Sequence, residues 1–179
     1  MNQVALIAEE PQAKLAISFE VAGEPLPQGS KFAKVIGKGK SQRVILIDMA
    51  DKQTKTRKKG ALGRWKELIG VKANEQVRGS LIGPVHLWRG PVVLECEFVM
   101  PRCDSHYKKR VTGITNELTK NAPMVPQKDL DKLIRAVGDA LSKVVYWDDV
   151  QVIGFGESTK RFASSRDAIG GVRVKVRQA

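Results

Sequence analysis

The sequence is poor in the side chains from which soft-metal sites and disulfide scaffolds are built. It contains two cysteines and two histidines. Cys96 and Cys103 lack C-x-x-C spacing, and the only histidine near them is His106. A zinc site would need a further ligand that no motif supplies, so both read as thiols of a reducing compartment. Long apolar runs are also missing. The run Val4 to Ala8 is followed by Glu9 and Glu10 and has no basic flank, which does not match a secretory signal. No stretch approaches the ~20 apolar residues that span a bilayer. These absences predict a cytoplasmic protein with no membrane contact. Internal repeats and low-complexity tracts are absent as well.

Acidic residues are outnumbered: 31 Lys and Arg against 19 Asp and Glu give a net charge of +12 in 179 residues. The excess is concentrated. Residues 31–66 hold twelve Lys or Arg against Asp48 and Asp51, whereas the first thirty residues are net acidic. A single-sign field of this size attracts polyanions, and counterion release favours nucleic acid among them. An ordinary solvated surface is the bland alternative. The expected contacts are to phosphates and not to bases.

Periodicity gives the fold class. Leu15, Ile17, Phe19 and Val21 alternate with small or polar residues, as do Val92, Leu94, Cys96 and Phe98, and again Val172, Val174 and Val176. Period two is the pattern of a half-buried strand. The last of these carries Arg173, Lys175 and Arg177 on its other face. Phe32 to Ile36 and Val44 to Ile47 flank Gly37-Lys38-Gly39-Lys40, which predicts a basic hairpin. A first helix is expected where Leu62, Trp65, Leu68, Ile69, Ala73, Gln76 and Val77 form a stripe. A second follows from Leu130, Leu133, Ile134, Val137 and Leu141. One more strand is expected near Val150–Phe155. The expectation is an α+β domain over residues 14–179: a four-stranded mixed sheet with two helices on one face. A flexible leader (1–13), a basic arm (31–60) and a long polar loop (101–128) complete it.

Against the basic background, five aspartates fall between positions 129 and 149: Asp129, Asp131, Asp139, Asp148 and Asp149. Each piece alone has an ordinary explanation. Asp129 or Asp131 suits a helix N-cap, Asp148-Asp149 suits a turn, and Asp131, Arg135 and Asp139 suit an exposed ion-pair ladder. Together, several hard oxygen donors suit Mg²⁺ or Mn²⁺, which would make an acidic pocket receptive to a phosphodiester. Arg135 is then placed to neutralise charge on the reacting phosphate. Trp147, beside the acids, reads either as a platform for an unpaired base or as a buried anchor.

The runs K-D-L-D-K-L-I-R-A-V-G-D-A-L (128–141) and Y-W-D-D-V-Q-V (146–152) resemble the RusA family of Holliday-junction resolvases, common in phages and prophages. Lys160-Arg161-Phe162 is similar to that family's K-R-Y segment. Gly23 to Lys31 is similar to its G-x-P-x-P-x-G-x-K opening, and Pro101 to Tyr107 to its M-P-R-x-x-S-H-Y run. The resemblance implies a homodimer that binds four-way DNA junctions and nicks two strands symmetrically with Mg²⁺ or Mn²⁺. Two-fold symmetry matches such a substrate. It further implies that Asp129, Asp131 and Asp149 are catalytic metal-site carboxylates, with Asp148 adjacent. Lys31, Lys34, Lys108, Lys109, Arg110, Lys128, Lys132 and Lys160 are the expected DNA contacts. Two positions depart from the pattern. Arg135 stands where the family has a catalytic lysine, and Arg cannot release its proton at working pH. Lys132 replaces the Asn of D-L-D-N. The competing expectations are a weak or inactive branched-DNA-binding protein of the same fold, and a nuclease that cuts branched DNA without strict junction preference.

Overall fold

The computed structural model of the chain describes residues 16–29, 31–48, 60–80 and 87–179. The leader at 1–13 and the charged run at 49–59 lie outside the described residues, as does the side chain of Lys31.

The alternating segments form one mixed sheet. β1 (Ala16–Ala22) pairs antiparallel with β9 (Gly171–Gln178), and β9 pairs antiparallel with β4 (Val92–Met100). β4 then pairs in parallel with β7 (Val152–Phe155) near its start and with β8 (Thr159–Phe162) near its end. The edge position is therefore shared by two short strands, so the sheet has four rungs built from five strands. At the break, Gly156 N–H donates to the Leu94 carbonyl at 3.0 Å, and the Ser158 hydroxyl accepts from Cys96 N–H at 3.0 Å. Those two bonds carry the ladder across the gap.

Period two places Ile17, Phe19 and Val21 opposite Val176, Val174 and Val172, and these opposite Leu94, Cys96 and Phe98. All are buried. Each large aliphatic or aromatic side chain so buried contributes about 1.5–3 kcal/mol. α1 (Ala61–Ser80) and α2 (Leu130–Leu141) cover this face. They pack on each other near Gly70, where an added Cβ would lie 3.5 Å from the Ala140 carbonyl. The α1 stripe is narrower than expected: Leu62, Trp65, Ile69, Ala73 and Val77 are buried, whereas Leu68 and Gln76 are exposed. The far face of the sheet is charged. Arg173 bridges Glu20 at 2.7 Å and Glu97 at 3.0 Å, and Lys175 and Arg177 each reach Glu95 at 3.5 Å. The cations alternating along β9 are thus paired within the sheet.

Two hairpins stand apart from the sheet. β2 (Lys31–Ile36) and β3 (Arg43–Asp48) form the expected basic one. Gly37 turns it with φ +91°, and a Cβ there would sit 2.4 Å from the Ser41 carbonyl, so the turn requires glycine. The expected loop at 101–128 differs: it contains β5 (Tyr107–Arg110) and β6 (Gly113–Leu118), paired antiparallel. Most of their side chains are exposed, so no apolar alternation marks the strands in the sequence.

The two thiols are in opposite environments. Cys96 is buried in the core, and burial together with neighbouring Glu95 pushes its pKa up to about 12, while Cys103 is exposed. Only the thiolate reacts. A thiol-specific reagent at neutral pH should therefore label one cysteine of the native protein quickly and the second only after denaturation.

Candidate active site

α2 begins where the chain leaves the β5–β6 region. Asp129 occupies the N-cap position, but its side chain makes no cap hydrogen bond. The carboxylate instead accepts from the Lys132 ammonium at 2.6 Å. Lys132, first by hydrogen bond and then by charge, and Lys160 by charge hold the Asp129 carboxyl below its ordinary range. The opening segment Gly23–Gln28 seats against the same place. Gln28 N–H donates to the Lys132 carbonyl at 2.9 Å, and Lys128 donates to Glu24 and to the Pro25 carbonyl. Lys160 donates to the Lys128 carbonyl at 2.6 Å. Lys128, Lys132 and Lys160 therefore gather at the mouth of α2, each tied to a neighbour.

One turn further, Asp131, Arg135 and Asp139 face an open cavity of about 380 Å³. Leu130, Ile134, Val152 and Phe155 form its apolar wall, and Asp149 closes the acidic side. Arg135 approaches Asp131 at 3.8 Å, with both side chains largely exposed. Asp139 is committed elsewhere: Lys66 of α1 bonds it at 2.8 Å in a partly buried pair. No local pattern around Asp139 marks that partner, which is 73 positions away.

The Asp148-Asp149 step separates two roles that the sequence does not distinguish. Asp148 caps a single 3-10 turn, Asp149–Gln151, by accepting from Val150 N–H at 3.1 Å. The Gln151 side chain folds back and accepts from Asp148 N–H at 3.0 Å. Its amide donates to the carbonyls of Trp88 at 3.1 Å and Gly90 at 2.7 Å. Gln151 thus pins the turn to the segment before β4 and leaves Asp149 directed at α2. A hydrogen bond that its protonated form donates to Asp148, then burial, and then the charges of Asp148 and Asp139 raise the Asp149 pKa. The Val150 N–H bond first, and the bond with Asp149 second, keep Asp148 low. Asp148 therefore gives up its proton at lower pH than Asp149 does.

Of the expected acids, Asp131 and Asp149 line one cavity with Arg135, whereas Asp129 turns to Lys132 and Asp148 serves as a cap. Among the described residues, no three His, Cys, Asp or Glu side chains converge as a ready metal cage. Away from the mouth of α2, the expected DNA contacts lie on the hairpins. Lys34 is exposed on β2; Lys108, Lys109 and Arg110 are exposed on β5, where Lys108 and Arg110 share Glu117 at 2.8 and 3.2 Å.

A family model described as "Endodeoxyribonuclease RusA" matches residues 46–177. No curated protein matches the chain. The matched span contains the whole cavity, both runs of aspartates and, apart from β1 and the last residue of β9, every strand of the sheet. With nearly three-quarters of its length under that one match, the chain belongs to the RusA endodeoxyribonuclease family.

Proposed function

We propose that the protein is a Mg²⁺- or Mn²⁺-dependent endonuclease that resolves four-way DNA junctions by paired, symmetric phosphodiester hydrolysis, acting as a homodimer in the cytoplasm of a bacterial or phage-infected cell. The observation that carries this reading is the shared cavity of Asp131, Asp149 and Arg135. No helix among the described residues is long and apolar enough to cross a membrane.

The donor set fits a hard divalent cation, because every acid facing the cavity offers carboxylate oxygen. Asp131 and Asp149 would hold the ion, with Asp129 joining them if Lys132 releases it. When bound, such an ion polarises a phosphoryl oxygen and lowers the pKa of an attacking water. The chain's own groups supply the rest. Arg135 offers a fork of donors to the phosphate and stabilises charge that develops on it, without donating its proton. The apolar wall limits water access to the same space. The cations at the mouth of α2 and on the two hairpins hold the strands by their phosphates.

The decisive experiment compares a synthetic four-way junction with plain duplex, with Mg²⁺ or Mn²⁺ added or withheld. Metal-dependent paired nicks in the junction alone are expected. Equal cutting of duplex would indicate a general nuclease, and binding without nicks an inert junction binder.

The Lys132–Asp129 bond favours the weaker form of the enzyme, since it occupies an oxygen the metal would use. Lys132→Asn, which restores the residue of the family pattern, should then raise cleavage on the order of tenfold at limiting Mg²⁺, as changes beside metal ligands do. Unchanged Mg²⁺ dependence would show that Lys132 does not compete.

A further inference from the structure

Of the three tryptophans, Trp65 and Trp88 are buried, whereas Trp147 is 49% exposed. Two cations converge on its ring. The Lys143 ammonium lies 4.2 Å from the centroid and the Arg89 guanidinium 4.8 Å. Both side chains belong to exposed residues, and among the described residues neither forms an ion pair with an acid. Their charges therefore lie within about 9 Å of each other, inside the ~10 Å screening length at 0.1 M salt. The indole face attracts each cation. Asp148 lies close enough to feel the Lys143 charge, but it forms no ion pair with it, and Arg89 has no acid in reach among the described residues. An anion arriving from solvent would therefore find both cations available at the ring.

Lys143 is also the one described non-glycine residue with positive φ, +64°. It follows the C-cap Ser142 of α2, where glycine is the usual occupant of a left-handed position. The Lys143 N–H bonds the Tyr146 carbonyl at 2.8 Å, which holds the backbone in that conformation, and the side chain carried there places its ammonium over Trp147. The ring sits two positions before Asp149, at most about 7 Å along the backbone. That is roughly the axial span of two phosphates on one strand.

We propose that Arg89, Lys143 and Trp147 form a clamp for one backbone phosphate of the DNA strand leading into the acidic cavity. This rests on the nuclease reading above and adds a contact outside the catalytic carboxylates. Trp147 acts by gathering the two cations, so its aromatic face matters more than its size.

The test measures binding of a fluorescent four-way junction in EDTA, so that cleavage does not intervene, across a salt series. Arg89→Gln combined with Lys143→Gln should weaken binding on the order of tenfold and reduce the log–log salt slope by about 0.9, the loss of one phosphate. Trp147→Ala should behave similarly, and Trp147→Phe should retain most of the affinity. Lys143→Gly should melt no lower than the parent, because glycine accepts positive φ, yet lose affinity; this separates binding from folding. Acrylamide quenching, which reads Trp147 because the other two indoles are buried, should fall when DNA binds. A salt slope unchanged in the double variant overturns the clamp. So does strong quenching of Trp147 emission by bound DNA with that slope intact, which would mark a stacked base. A wild-type protein that binds neither junction nor duplex overturns the nuclease reading, and the clamp with it.

Discussion

Asp131→Asn should abolish junction cleavage while leaving junction binding intact or tighter. Asp131 lines the cavity beside Arg135 and opposite the Asp149 side. Asparagine keeps the shape but removes the charge and half the oxygen-donor capacity a divalent cation requires. Loss of metal-assisted chemistry should cost a thousandfold or more, about 4 kcal/mol at ~1.4 kcal/mol per decade. Binding responds in the opposite sense, because one fewer negative charge faces the phosphates. Single-turnover cleavage and a gel-shift titration of the same preparation measure the two effects. Joint loss of cleavage and binding, with a lowered melting temperature, would instead make Asp131 a structural residue of the α2 entrance.

The second large effect is expected at Gln151, which is not among the residues lining the cavity. Its side chain makes one bond to Asp148 N–H and two to the carbonyls of Trp88 and Gly90. Gln151→Leu leaves those groups without their partner, which should cost about 1–3 kcal/mol of stability. More tellingly, it frees the turn that aims Asp149. Cleavage should fall about 10–100-fold, the usual range for residues that orient metal ligands, and the Mg²⁺ concentration for half-maximal activity should rise. A purely structural brace would lower the melting temperature without moving the Mg²⁺ dependence. Gln151→Glu should not rescue, since it keeps the acceptor for Asp148 N–H but sets a carboxylate against two carbonyls.

What the sequence made legible was whatever repeats locally. β1, β4, β9 and α2 follow from apolar residues at period two or at three and four, because one face of each is buried against the same core. The β2–β3 hairpin follows from its glycines. The β5–β6 hairpin did not show itself, since most of its side chains are exposed and no periodic pattern remains. Nor did the shared edge position of β7 and β8, which depends on β4 being longer than either.

At the site, both runs of aspartates border the cavity, but the division of labour within them is not legible in the sequence. Asp148 and Asp149 are the same residue type at adjacent positions. Only the folding back of Gln151 makes one a cap and the other a cavity wall. The Lys66–Asp139 bond joins positions 73 apart, and the cations over Trp147 arrive from separate segments. Such pairings depend on tertiary packing, which one sequence does not print. Trp147 illustrates the gain: half-exposed and flanked by Arg89 and Lys143, it is not the buried anchor that composition allowed.

The break between β7 and β8 bears on how this sheet edge meets other chains. A sheet edge offers unpaired N–H and C=O groups to any passing chain, and a long apolar edge invites aggregation. Here the strand carrying exposed Ile153 and Phe155 is four residues long, and its neighbour in the same rung restarts at Thr159. Gly156, where a Cβ would meet the Glu95 side chain at 2.3 Å, lies in the interruption. A foreign strand finds no continuous template there, so the discontinuity at this edge works against strand-to-strand association, as like charge does.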